Sequence, residues 1–219
     1  MKTNHYYLLV LIVFSTNAFA QQYRGHAWHD SVQTIPGQIQ CELYDEGGQG
    51  IAYNDSDAVN NGSGKLNPND GTFLNTFRMN EGVDISYTKT NNTDNNPYNL
   101  VEPLTKQLYV GWTEPGEWIN YTIDITKAGT YQLALMYTAN ADGKISLSLD
   151  GIDISGRLLV RSTYNHKETV PWRQWHHWNK AENFATITLP EGRHILTLHT
   201  VDNGNMNYDY LEFTLLKHE

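Results

Sequence analysis

From Gln107 to Leu215 the chain repeats one pattern: a short run of alternating apolar and polar residues, then a turn rich in Gly, Asp, Asn or Pro. Trp118-Ile-Asn-Tyr-Thr-Ile-Asp-Ile125 places Ile119, Tyr121, Ile123 and Ile125 on one face, because successive side chains of a strand point to opposite sides. Thr130–Tyr137 alternates in the same way. Lys144–Leu149 runs into Asp150-Gly151, a dipeptide that tolerates positive φ at both positions and predicts a two-residue hairpin. Ala185–Leu189, Arg193–Thr200 and Tyr208–Leu215 complete the set. An internal echo links Ile125-Thr-Lys-Ala-Gly-Thr-Tyr-Gln-Leu-Ala-Leu to Leu189-Pro-Glu-Gly-Arg-His-Ile-Leu-Thr-Leu, each a strand, a tight Gly turn and a strand. No segment sustains a helical period with caps. Many short strands at near-regular spacing predict an all-β chain folded as a β-sandwich jelly roll, one domain with long loops.

Upstream the pattern changes. Residues 47–99 are dense in Gly, Asn and Asp, residues that build turns through left-handed backbone and local side-chain bonds. Four N-x-S/T sequons (Asn54, Asn61, Asn91, Asn120) occur, a frequency near chance in so Asn-rich a chain. Residues 21–38 lack periodicity and read as an N-terminal tether. At the start, Lys2, the apolar stretch Tyr6 to Phe14 and Ala18-Phe-Ala20 read as a secretory signal cleaved near Ala20. The expected organisation is a signal peptide at 1–20, a tether at 21–38 and a β-sandwich domain at 39–217. The protein is expected to be secreted, periplasmic or extracellular. No apolar run reaches the ~20 residues needed to span a bilayer as a helix.

Composition narrows the partners. Without Lys2, 14 basic residues stand against 24 acidic ones, a net charge of −10. That balance disfavours nucleic acid and anionic membrane, both of which need Lys and Arg. A neutral ligand or a cation fits better. The lone Cys41 excludes an internal disulfide, so core packing or a metal must stabilise the fold.

The candidate chemistry is aromatic. Five of the six tryptophans fall in two stretches, Val110–Tyr121 and Pro171–Trp178. Indoles set in polar, loop-like sequence suit a stacking platform for a sugar ring, whose C–H face packs on the indole while its hydroxyls bond at the rim. Trp112 and Trp172, beside Gly111 and Pro171, are the pair expected to be exposed. Gln40 and Glu42 on the first strand and Asp209 on the last meet if the terminal strands pair, and three oxygen donors of that kind suit Ca²⁺. Glu114 and Glu117 offer an alternative reading, a small jelly-roll glycoside hydrolase or lyase with a carboxylate pair. His176-His177 on a strand would point to opposite faces and not share one ion. There is no G-x-S-x-G, H-E-x-x-H or P-loop. A third reading is an adhesion module that uses its Asn-rich loops on a protein partner.

The stretch Ile39–Leu215 resembles carbohydrate-binding module family 6, especially members attached to agarases. The matching pieces are Ile39-Gln-Cys-Glu-Leu-Tyr-Asp45, Gly47-Gly-Gln-Gly-Ile-Ala-Tyr-Asn-Asp55, Asn80-Glu-Gly-Val-Asp-Ile85, Tyr109–Tyr121, Trp172-Arg-Gln-Trp175 and Asn207-Tyr-Asp-Tyr-Leu-Glu-Phe213. The resemblance implies a jelly roll that binds glycans without cleaving them. By that resemblance Trp112 and Trp172 clamp one ring, Asn207 bonds its hydroxyls, and Tyr53 and Asn54 lie in the early loop beside them. It also implies a structural calcium on Gln40, Glu42 and Asp209. The expected ligand is a β-linked polysaccharide of agar or porphyran type, a β-glucan or a xylan, and the expected partner is a glycoside hydrolase acting on it. The segment Asn61 to Lys106 is longer than the family pattern.

Overall fold

The computed structural model describes residues 23–90 and 93–217, so the secretory signal expected at 1–20 falls outside the described residues. In chain order the strands are β1 (Gln33–Ile35), β2 (Gly37–Gln40), β3 (Tyr53–Asn54), β4 (Ile85–Tyr87), β5 (Leu108–Val110), β6 (Trp118–Ile125), β7 (Gly129–Ala139), β8 (Gly143–Leu149), β9 (Ile152–Asp153), β10 (Leu158–Val160), β11 (Asn179–Leu189), β12 (Gly192–Asp202) and β13 (Met206–Leu215). They make two sheets. One runs β1-β6-β12-β8-β10, with β3 also on β6 and β9 on β8; the other runs β11-β7-β13-β5-β4, with β2 also on β13. The alternation read from the sequence fixes which side faces in. Ile119, Tyr121, Ile123 and Ile125 of β6 meet Leu133, Leu135, Leu211 and Phe213 of the opposite sheet in one buried core. The architecture is the β-sandwich jelly roll that the spacing predicts.

The Asp150-Gly151 hairpin forms as expected, with φ of 50° and 80° at its two turn residues and Leu149 paired to Ile152. Positive φ at both positions matches the right-handed twist of the flanking strands.

The tether expectation is corrected over residues 23–38. Here β1 pairs parallel with β6, β2 pairs antiparallel with β13, and Ile35 is fully buried. Gln33 bonds the backbone of Gln40 and Leu43 through both ends of its amide. Upstream, the Arg78 guanidinium lies 4.3 Å from the Trp28 ring centre and 3.3 Å from that of Tyr44, pinning the segment by cation–π contact. Strands of three or four residues are too short to display a period, and most of the anchoring is polar. Hydrophobic patterning is blind to both.

The Asn-rich region is an internal scaffold. Asn60 Oδ1 accepts the N–H groups of Gly62, Ser63 and Ile85, while Asn67 Nδ2 donates to the carbonyls of Leu74 and Ile85. Each buried amide stands in for a missing strand ladder and satisfies backbone groups of the irregular segment, although Asn60 Nδ2 itself is left without a partner. The second sheet's outer side is covered by the end of this region. There Tyr109, Met136 and Trp178 form a second buried cluster with Val101 and Tyr210 against it.

Candidate functional site

At one end of the sandwich, β5 ends at Val110, and after Gly111 the chain turns through Trp112 with φ of 49°. A left-handed conformation is costly for a residue with so bulky a side chain and persists only where neighbours enforce it. Two groups do so. The Trp112 N–H donates to Asn207 Oδ1 at 3.3 Å, and Thr113 clasps Met206 through its hydroxyl at 3.0 Å. Gly111 makes the first contact possible, because a Cβ there would stand 3.0 Å from Asn207 Oδ1. Trp112 is left half-buried, neither core nor fully exposed.

Trp172 sits on a single turn, Pro171–Arg173, and is 58% exposed. Its loop is held from several sides. Thr163 Oγ1 donates to the Trp175 carbonyl at 2.6 Å, and Gln174 Nε2 donates to the Glu168 carbonyl at 3.0 Å. Arg173 and Glu168 form a two-bonded fork. An exposed indole on so constrained a loop loses little freedom when it stacks on a ligand.

Asn207 and His176 connect the two tryptophans. His176 Nε2 lies 3.1 Å from Asn207 Nδ2, its ring contacts Trp172 edge-on at 6.4 Å between centroids, and Trp175 lies on it at 4.9 Å. Its other nitrogen, Nδ1, meets Asp94 Oδ1 at 3.0 Å. Asn207 is 1% exposed, and its two amide hydrogens go to His176 and Thr138 Oγ1. This corrects the role expected of it. Asn207 lies under the tryptophans as a support and presents no open donor to a sugar. Asp94 and His176 escaped the sequence reading because 82 residues separate them. The only trace was a histidine pair among tryptophans.

Neither early-loop residue is an open ligand group. Tyr53 is 5% exposed, packs edge-on against Tyr44 at 5.5 Å and accepts the Gly82 N–H at 3.1 Å. It is a core residue, placed inward by its β3 pairing with Ile119 of β6. Asn54 is half-exposed, but its amide is spent on Gln49 and the Gly116 carbonyl. Glu114 and Glu117 do not face one another across a cleft. Glu117 is buried, and its Oε2 accepts the Glu114 backbone N–H at 2.7 Å while Oε1 takes both the N–H and the hydroxyl of Ser56. It closes a turn, with its carboxyl pushed up by burial.

Away from this end, β2 and β13 bring the expected metal residues together, with Gln40 opposite Tyr210 and the Cys41 N–H bonded to the Asp209 carbonyl at 2.9 Å. Glu42 and Asp209 are both buried, and each has one carboxylate oxygen without a partner, Oε2 and Oδ1. Burial drives both carboxyls up, to about 8 and about 7, and Asp209 adds repulsion on Glu42. Gln40 Oε1 accepts the Gln107 amide at 2.8 Å, which also bonds Asp209. A neutral amide cannot balance two buried carboxylates, whereas a hard cation would satisfy both orphaned oxygens. The donor set fits Ca²⁺. Among the described residues no group of three or more His, Cys, Asp or Glu side chains is placed to hold a metal ion. Any site here therefore needs Gln40 and backbone oxygens.

A cavity of about 700 Å³ lies on the outer face of the first sheet. Trp118 and Asn120 point into it from β6, Thr197 and His199 from β12 and Ser148 from β8, with Tyr23 along its edge. These are the positions alternate to the β6 and β12 core residues. Thr197 Oγ1 bonds Asn120 Oδ1 at 2.7 Å, and Ser148 Oγ meets His199 Nε2 at 3.1 Å. Tyr23 also borders a second cavity of about 320 Å³, and its hydroxyl is anchored on Asp45 Oδ2 at 2.8 Å.

Against known proteins, a family model described as carbohydrate binding module (family 6) matches residues 75–215. A family 6 module from Clostridium stercorarium, solved in complex with cellobiose, aligns with 14% identity over 85% of this chain and 98% of that one, at a TM-score of 0.49. The C-terminal family 6 module of a marine laminarinase from Zobellia galactanivorans aligns with 22% identity over 49% of this chain and 79% of that one, at a TM-score of 0.40. A relative described as a 1,6-alpha-glucosyltransferase from Sporosarcina globispora is 29% identical over 103 residues, which is 46% of this chain and 7% of that enzyme's length.

Proposed function

The chain belongs to carbohydrate-binding module family 6, and from that premise we propose that it is an exported, non-catalytic binder of a β-linked polysaccharide. In this reading Trp112 and Trp172 hold one sugar ring between them at the end of the sandwich. The observation that carries it is that the Trp112 backbone and the exposed Trp172 ring, each on a constrained loop, both contact one buried Asn207–His176 pair. Stacking on rigid aromatic faces supplies contact area at low entropic cost, and polar groups at the rim supply orientation. The acidic balance of the chain favours a neutral glycan, an agar-type chain, a β-glucan or a xylan, over a sulfated porphyran-type chain. A glycoside hydrolase acting on the same glycan is the natural partner.

Calcium belongs to this reading as a structural ion on Glu42, Asp209 and Gln40. The two orphaned buried oxygens support it. The ion would supply positive charge that ties the first strand to the last, while the chain's own residues make the sugar contacts elsewhere.

The outer-face cavity favours a second glycan site. Its volume falls in the ~300–1,000 Å³ range of small-ligand pockets, and it combines Trp118 with several hydroxyl and amide groups. The enzyme reading through Glu114 and Glu117 has less support, because Glu117 is consumed as a turn clamp. A glycan array probed with calcium and with chelator tests the proposal. Binding to a β-linked polysaccharide without release of reducing sugar is the expected result. No binding to any glycan would defeat it.

A further inference from the structure

We infer that His176 is the positioning residue of the loop-end site, acting as a fixed tautomer that sets the amide of Asn207 and through it the Trp112 turn. The inference rests on the reading of Trp112 and Trp172 as the sugar clamp. Its geometry, however, can be tested on the free protein.

The direction of each hydrogen bond follows from its neighbours. The Trp112 backbone N–H is a donor only, so the atom of Asn207 that faces it at 3.3 Å must be the amide oxygen. The amide nitrogen therefore faces Thr138 Oγ1 at 2.8 Å and His176 Nε2 at 3.1 Å. An amide nitrogen only donates, so Nε2 must be the bare, accepting nitrogen of the ring. The proton of neutral His176 then sits on Nδ1, which points at Asp94 Oδ1 3.0 Å away. Asp94 is suited to fix that choice. Its Oδ1 faces the imidazole and also takes the Trp178 indole N–H at 3.0 Å, while Oδ2 takes the Lys89 N–H at 2.7 Å, so the carboxylate is held in place as an acceptor.

The chain of constraint is thus Asp94, His176, Asn207, Trp112, with the Trp172 and Trp175 rings packed on the imidazole. A ring with its proton on Nε2 would set two donors against each other at Asn207. The amide would then have to rotate, turning its N–H₂ toward the Trp112 N–H and removing the acceptor that supports a left-handed tryptophan. The long Asn-rich region therefore reaches the clamp: Asp94 supplies the anchor, and Asn96 and Asn99 hold the backbone of His176 and Trp178 at 3.1 and 3.0 Å.

Long-range ¹H–¹⁵N spectra of the histidine rings at neutral pH test this. The expected signature for His176 is a protonated Nδ1 and an unprotonated Nε2, the opposite of the tautomer free imidazole side chains favour. Disappearance of its signals in His176→Phe assigns them. The Trp112 indole N–H cross-peak is the second readout. It should shift in His176→Phe and in Asp94→Asn, and return close to its wild-type position in His176→Gln, which restores an acceptor for Asn207. A wild-type ring with the proton on Nε2, or equal Trp112 shifts in the Phe and Gln variants, overturns the inference. Dispersion of the remaining amide peaks reports whether each variant folds. Should Asp94→Asn unfold, the Phe and Gln pair still decides. The expected tautomer in a protein that binds no glycan sinks the clamp reading alone, whereas glycan binding with the opposite tautomer sinks this inference alone.

Discussion

Glu168 accepts two hydrogen bonds from Arg173, Nε to Oε2 at 2.8 Å and Nη2 to Oε1 at 2.9 Å, and the fork closes the turn that displays Trp172. The same carboxylate takes the Val170 N–H at 2.9 Å. A planar guanidinium on a carboxylate is directional as well as charged, so the pair fixes the loop's shape as well as its stability. Predictions for the site start from this rigidity.

Replacing Trp112 or Trp172 by Ala is expected to weaken binding to the glycan found on an array by at least about 2 kcal/mol, roughly 30-fold, because aromatic anchors dominate small sites. Calorimetry on each variant measures it. Wild-type affinity in both would remove the clamp. Trp118→Ala, on the separate outer face, should leave this affinity unchanged and abolish only a second binding event.

Hydrogen bonds from Arg173 and the Val170 N–H hold the Glu168 carboxyl down at about 2. A depressed folded value means its contribution is complete above the unfolded value, ~4.3, and is lost as pH falls toward about 2. The Trp172 loop should therefore loosen across that acid window, read by tryptophan fluorescence. Glu168→Gln should show the loosened signal already at neutral pH and lose roughly 1–3 kcal/mol of stability, a typical value for hydrogen bonds to a charged group. An unchanged acid limb in that variant would assign the loosening elsewhere.

Calcium should raise the melting temperature of the wild type, since a ligand bound only to the folded state stabilises by about 2.7 kcal/mol at a hundred times its Kd. Glu42→Gln and Asp209→Asn should abolish that rise. In chelator the same variants are expected to match or exceed the wild type, because each removes one of two buried carboxyls that burial disfavours as anions. Differential scanning calorimetry with and without the ion separates these outcomes. A melting temperature indifferent to calcium and chelator would leave no structural ion at this pair.

Glu117→Gln is expected to behave as a packing change. It weakens the acceptor for the Ser56 and Glu114 N–H groups and should lower stability without altering the length of any polysaccharide incubated with the protein. Oligosaccharide release by the wild type that disappears in this variant would revive the hydrolase reading.

The sequence by itself determined the sandwich. The alternation in β6, β7, β12 and β13, and the Asp150-Gly151 turn, are local signals, since a strand's inward face and a positive-φ turn are written in neighbouring residues. It also located the two tryptophan stretches and the Gln40, Glu42, Asp209 set. Only the tertiary structure decided which of these side chains are open and what holds them. Asn207 became a buried support, Tyr53 a core residue and Glu117 a turn clamp, and residues 33–40 joined both sheets. Burial and hydrogen-bond partnership arise from segments brought together across the fold, such as Asp94 with His176. A single residue type carries no record of the partner it will meet.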